Sequence, residues 1–140
     1  MTQPRIRRAF EVALAGYAAG HVPALPVAWE NVELVPQPAG PYLRANLLPA
    51  GTFSSDLERK HRRYQGIFQI GIVIPTGGGS AAAEAIAGEL AALFAPSVPT
   101  VVGGLTVWAA EPLSQAPAVP EGDRYLIPCS VPYLAHEFIA

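Results

Sequence analysis

Tyr64-Gln65-Gly66-Ile67-Phe68-Gln69-Ile70-Gly71-Ile72-Val73-Ile74 is the stretch whose reading decides the fold. Tyr64, Gly66, Phe68, Ile70, Ile72 and Ile74 fall on one parity, and Gln65, Ile67, Gln69, Gly71 and Val73 on the other. Alternation of this period predicts a strand with one face on a core and a second face partly wet or partnered. Gly66 and Gly71 weaken a strand unless a bend or a close contact uses them. Pro75 stops the strand, and Thr76-Gly77-Gly78-Gly79 turns the chain into a helix over residues 80–95, with Ser80 as its N-cap. Ala82, Ala83, Ile86, Leu90, Leu93 and Phe94 form the expected buried stripe, and Pro96 and Pro99 end the element. Gly88 costs such a helix about 1 kcal/mol relative to alanine. Close packing of helix on strand is the expected compensation.

Upstream, Ile6, Phe10, Ala13, Leu14 and Tyr17 recur at helical spacing and predict a helix over residues 3–19. Glu11 interrupts the apolar run that a secretory leader would need, so the amphipathic reading is preferred. Arg7 and Arg8 lie off the apolar face within a turn of Glu11 and read as solvated, weakly paired charges. Residues 27–30 and 32–35 look extended around Asn31, and residues 42–48 read as a strand. Residues 49–63 show no apolar periodicity and read as a long polar loop, mobile in the free subunit.

Downstream, Leu105 to Ala109 reads as a strand, residues 113–119 as a further candidate, and Pro120-Glu121-Gly122-Asp123 as a turn. Residues 124–134 alternate again, with Tyr125, Ile127, Cys129, Val131 and Tyr133 on one side. Pro128 and Pro132 share a parity, so their missing N–H groups point to one side. A central strand cannot easily spare both, and the expectation is an edge strand or a bulge there. The fold class is therefore α+β: one domain over residues 1–140, a mixed or antiparallel sheet packed against two main helices, and a long mobile polar loop.

Half of the 140 residues are apolar (51%) and 14% are charged, which argues against wholesale disorder. No unbroken apolar run is long enough to span a membrane. The formal net charge is −2, so the whole molecule is not a polyanion binder. Seven of the 9 basic residues nonetheless fall in two groups: Arg5, Arg7 and Arg8, then Arg59, Lys60, Arg62 and Arg63. Such a cluster fits an oligomer contact, nucleic acid or plain solvation. Tyr64 is the only aromatic beside the second group, so base stacking is poorly supported.

Cys129 has no internal disulfide partner and reads as a small buried hydrophobe. His21, His61 and His136 lack metal-site spacing. The glycine turn lacks the Gly-Lys-Ser/Thr ending of a phosphate loop and the third glycine of a dinucleotide motif, and reads as a β–α connection. Ser54, Ser55 and Asp56 near His61 lack an orienting context. No catalytic, cofactor or metal residue is assigned, and no enzyme is expected.

Val27-Ala28-Trp29-Glu30-Asn31, Pro41-Tyr42-Leu43-Arg44, Arg63-Tyr64-Gln65-Gly66-Ile67-Phe68-Gln69, the Pro75 glycine turn with its Ala-rich helix, and Gly122-Asp123-Arg124-Tyr125-Leu126-Ile127-Pro128 occur in an order that covers nearly the whole chain. In that combination the chain resembles the tail-terminator, or tail-completion, subunits of long-tailed phages and prophages. The resemblance implies a structural virion protein that forms a ring, commonly of six copies. That ring caps the tail tube, ends tube growth and offers the surface for the head-joining protein, with DNA passing through the lumen. It implies a place in the virion tail, and in the host cytoplasm during assembly. No catalytic residues belong to that family. Placing Arg59, Lys60, Arg62 and Arg63 at an oligomer or partner contact is an inference from their clustering. A nucleic-acid-binding accessory protein using the same basic loop is the alternative, and a small hydrolase or transferase working at the glycine turn is a third reading.

Overall fold

The computed structural model describes residues 2–32, 34, 38–54, 61–77, 81–97, 99–102 and 105–138. Helix α1 (Thr2–Gly20) follows the predicted stripe: Ile6, Phe10, Leu14 and Ala18 are buried, with Ala13 and Tyr17 packed beside them. Helix α2 (Ala81–Leu93) buries Ala83, Ile86, Ala87 and Leu90. Ala82, expected in that stripe, is exposed, and Ala87 serves instead. Gly88 is also exposed, and a Cβ there would meet nothing within 4 Å. Close packing therefore does not explain it; Ala83, Ile86, Ala87 and Leu90 are the residues that α2 buries.

The strands are β1 (Val27–Ala28), β2 (Tyr42–Ser54), β3 (His61–Pro75), β4 (Thr100–Val102), β5 (Leu105–Ala109), β6 (Ser114–Gln115), β7 (Val119–Glu121) and β8 (Arg124–Phe138). They form one sheet in the order β1-β2-β3-β8-β5-β4, with β6 and β7 also paired to β8. Among the described residues only the β1–β2 pair is parallel. One face of the sheet carries Leu43, Ala45, Leu47, Phe68, Ile70, Ile72, Leu105, Val107, Cys129, Val131 and Tyr133 into a core shared with both helices. At its centre Phe10 stacks on Phe68 (centroids 4.8 Å apart, planes 17° apart), and Phe94 and Tyr133 tilt against Phe10. Such ring pairs add about 0.5–1.5 kcal/mol each beyond the area they bury.

Two expectations need correction. Residues 49–54 and 61–63 are strand, so most of the expected polar loop is the far end of the β2–β3 hairpin; the rest, residues 55–60, lies outside the described residues. The pairing runs on without an apolar pattern because β8 accompanies β3 to its first residue, His61 opposite Phe138, and satisfies the backbone. Second, Pro128 and Pro132 are not on an edge strand. Strand β8 lies between β3 and a second side filled in pieces by β5, β6 and β7. The prolines sit at the breaks in that second side. The Ala110 N–H donates to the Pro132 carbonyl (2.7 Å) and the Ala116 N–H to the Pro128 carbonyl (2.8 Å), just beyond β5 and β6. Each break needs an acceptor from β8 but no donor, which proline can supply.

Gly66 and Gly71 do answer to close contacts. A Cβ on Gly66 would lie 2.4 Å from the Leu48 carbonyl oxygen and 2.7 Å from the Tyr133 hydroxyl. One on Gly71 would lie 2.6 Å from Leu126 Cδ1.

Candidate functional site

Of the predicted contact residues, Arg59 and Lys60 lie outside the described residues, while Arg62 and Arg63 open β3. Strand alternation sends these two side chains to opposite faces. Arg62 shares the helix-covered face with Tyr64 and, across the β3–β8 ladder, Glu137. There Arg5 of α1 forms an ion pair with Glu137, and the Tyr64 hydroxyl donates to Glu137 Oε1 at 3.3 Å. The Tyr133 hydroxyl donates to Gln3 at 3.4 Å, and burial raises that phenol's pKa. Arg62 Nε is buried without a hydrogen-bond partner.

Arg63 lies on the helix-free face, opposite His136. His61 Nε2 and His136 Nδ1 are 2.5 Å apart, with their rings stacked at 4.7 Å. The Trp108 ring lies on the His136 ring, 5.1 Å away and nearly parallel. The His136 pKa is lowered, first by burial and then by His61 and Arg63. A ring-to-ring hydrogen bond needs one imidazole neutral as acceptor, which agrees with the lowered His136 value.

At the opposite end two of the motifs quoted above meet. Tyr42 is buried between Arg44 and Arg124, whose guanidinium carbons lie 5.8 Å and 5.5 Å from its ring centroid. Arg44 also pairs with Glu121 at 3.0 Å, and Arg124 donates to the carbonyls of Gly40 and Pro38. These contacts tie the β7–β8 turn to the approach of β2.

Sequence reasoning missed Glu30. Val32 N–H closes a turn onto the Trp29 carbonyl (3.0 Å), with Asn31 at φ 61°, a conformation asparagine tolerates. From that turn Glu30 accepts Arg7 Nη1 at 3.0 Å and the Leu47 N–H at 2.8 Å. Both interactions hold its carboxyl below the ordinary value, Arg7 the more strongly. Arg7 also reaches Glu11 at 3.9 Å, the local partner its spacing suggested. Glu89 also has a distant partner, because the Tyr17 hydroxyl donates to it at 2.7 Å and links the helices. Asparagine after Glu30 was the available signal for a tight turn; nothing local announced its distant partners.

Burial pushes the Cys129 thiol up to about 11, which suits an inert core residue. Among the described residues no three or more His, Cys, Asp or Glu side chains are grouped to hold a metal. No described helix is long and apolar enough to cross a membrane. What the structure offers instead is a two-layer domain with helices on one side of a sheet and charged networks at both ends.

Comparison with known proteins agrees with that picture. No curated protein matches the chain. A solved structure 42% identical in sequence superposes with a TM-score of 0.81, covering 96% of this chain and 96% of that one. A family model described as phage tail terminator protein matches residues 5–133. The chain belongs to the phage tail terminator family.

Proposed function

We propose that this structural tail-assembly protein works as a ring, six copies by resemblance, that caps the tail tube, ends its growth and presents the surface to which the head joins. The observation that carries the reading is the family match over residues 5–133, spanning every element from α1 into β8. The one-sided helix layer supports it, because a subunit with two unlike faces is suited to head-to-tail closure. In this reading the cluster Arg59, Lys60, Arg62 and Arg63 serves a contact with an acidic protein surface or the DNA channel, with Arg63, exposed on the helix-free face, as its outward member and Arg62 as its anchor beside Glu137.

Particles lacking the protein should carry tails of irregular length that fail to join heads, and supplying it in trans should restore both. Regular, infectious particles in its absence would end the proposal. Replacing Arg59, Lys60, Arg62 and Arg63 by alanine should weaken ring formation or tail joining while the fold persists. Strong, salt-steep DNA binding by the isolated subunit would instead favour the nucleic-acid-binding alternative.

A further inference from the structure

The helix-free face of the sheet carries a continuous apolar patch. Leu48, Ile67 and Pro132 stand in one cross-strand row, and Leu134 and Trp108 pair in the next row, beside Gln65. Leu48 is 47% exposed and Ile67 37%, high for large aliphatics at the middle of paired strands. Asn46, Gln69 and Ser130 form a polar row on one side of the patch. Arg63, with the stacked His61 and His136 beside it, supplies a positive charge at the margin on the other. An apolar centre with a polar rim is the anatomy of a protein interface.

We infer that this patch receives the helix-covered side of the next copy of the same chain, so that the sheet face of each subunit packs against α2 of its neighbour. The inference rests on the ring reading and names the surfaces that would form the ring. Charge selects the occupant. The exposed side of α2 carries Glu84 and Glu89, and the helix contains no basic residue, which complements the positive charge at the margin of the sheet face. Two sheet faces meeting each other in a twofold contact would use up both patches and stop at a dimer. A sheet-to-helix contact is heterologous, leaves both surfaces available at every addition, and closes when the rotation per subunit allows it.

The test compares full-length wild type with Ile67→Glu, Leu48→Ser and Glu84→Lys, by native mass spectrometry and sedimentation, free and on purified tail tubes. Thermal melting checks the fold. Ile67→Glu puts a carboxylate opposite an acidic helix and should weaken self-association at least about tenfold. Leu48→Ser, a milder change at an exposed position, should weaken it in the same direction should Ile67→Glu disturb the fold. Glu84→Lys, on the opposite surface of the molecule, should also weaken assembly. Folded sheet-face variants that assemble like wild type overturn this inference and leave the ring reading standing. Wild-type protein that stays monomeric even on tubes overturns both.

Discussion

Strands β2 and β8 both contain proline, and they treat it in opposite ways. On β2 the outward groups run through Leu43, Leu47 and Pro49. The Leu43 N–H donates to the Pro26 carbonyl (2.9 Å) beside β1, the Leu47 N–H donates to Glu30, and Pro49 has no N–H to offer. That edge is closed in turn by a short strand, a carboxylate and an imino acid, before the ladder shifts register between Pro49 and Thr52. On β8, Pro128 and Pro132 face a neighbour that is present but discontinuous, and each accepts a hydrogen bond where the neighbour breaks. Proline in a sheet therefore marks the side on which the ladder is incomplete. Whether that side is the rim or an interior gap depends on what the rest of the chain places there.

Gly66 lies between the two strands and gives the sharpest way to break the comparison. Gly66→Ala should cost about 3 kcal/mol, because its methyl group meets the Leu48 carbonyl on β2 and the Tyr133 ring on β8 together. Denaturant unfolding measures it. Next is Glu30→Ala, which uncaps the Leu47 N–H and releases Arg7. Partial exposure limits the loss to about 1 kcal/mol, and the opened rim should increase concentration-dependent association.

The third prediction concerns acid. The folded pKa of His136 lies below its ordinary 6.5, so the unfolded chain binds the proton first and stability falls as pH drops below that value. Glu30, also depressed, adds a second decline below its ordinary 4.5, as pH falls toward its folded value. His136→Asn should flatten the first decline in melting curves at a series of pH values and leave the second. The smallest effect is that of Pro49→Ala, which should change stability by about 0.5 kcal/mol or less yet add a donor to the rim. Association that increases with Pro49→Ala and not with Pro132→Ala would confirm the contrast; the reverse would refute it.

Much of this was legible in the chain. The alternation of β3 and β8, the stripe of α1 and the common orientation of Pro128 and Pro132 all follow from local spacing. The interior position of β8 did not, because β5, β6 and β7 are too short to announce their partner and join it through long-range pairing. The far end of the hairpin was illegible for another reason. There Arg62 and Tyr64 lie on the helix-covered face beside Glu137 and Arg5, so the inward positions are polar and no hydrophobic period marks the strand. Glu30 was hidden because its partners, Arg7 and Leu47, are remote in sequence.

Cys129 offers a clock for this architecture. It is fully buried on β8, opposite Ile70 on one side and opposite Gln115 of the two-residue β6 on the other. Its side chain points into the core beneath the helices, so a thiol reagent can reach it only when the helix layer lifts from the sheet, and the labelling rate counts those openings. If neighbours clamp the subunit during assembly, that count should slow, and a single native thiol would time the event without any engineered probe.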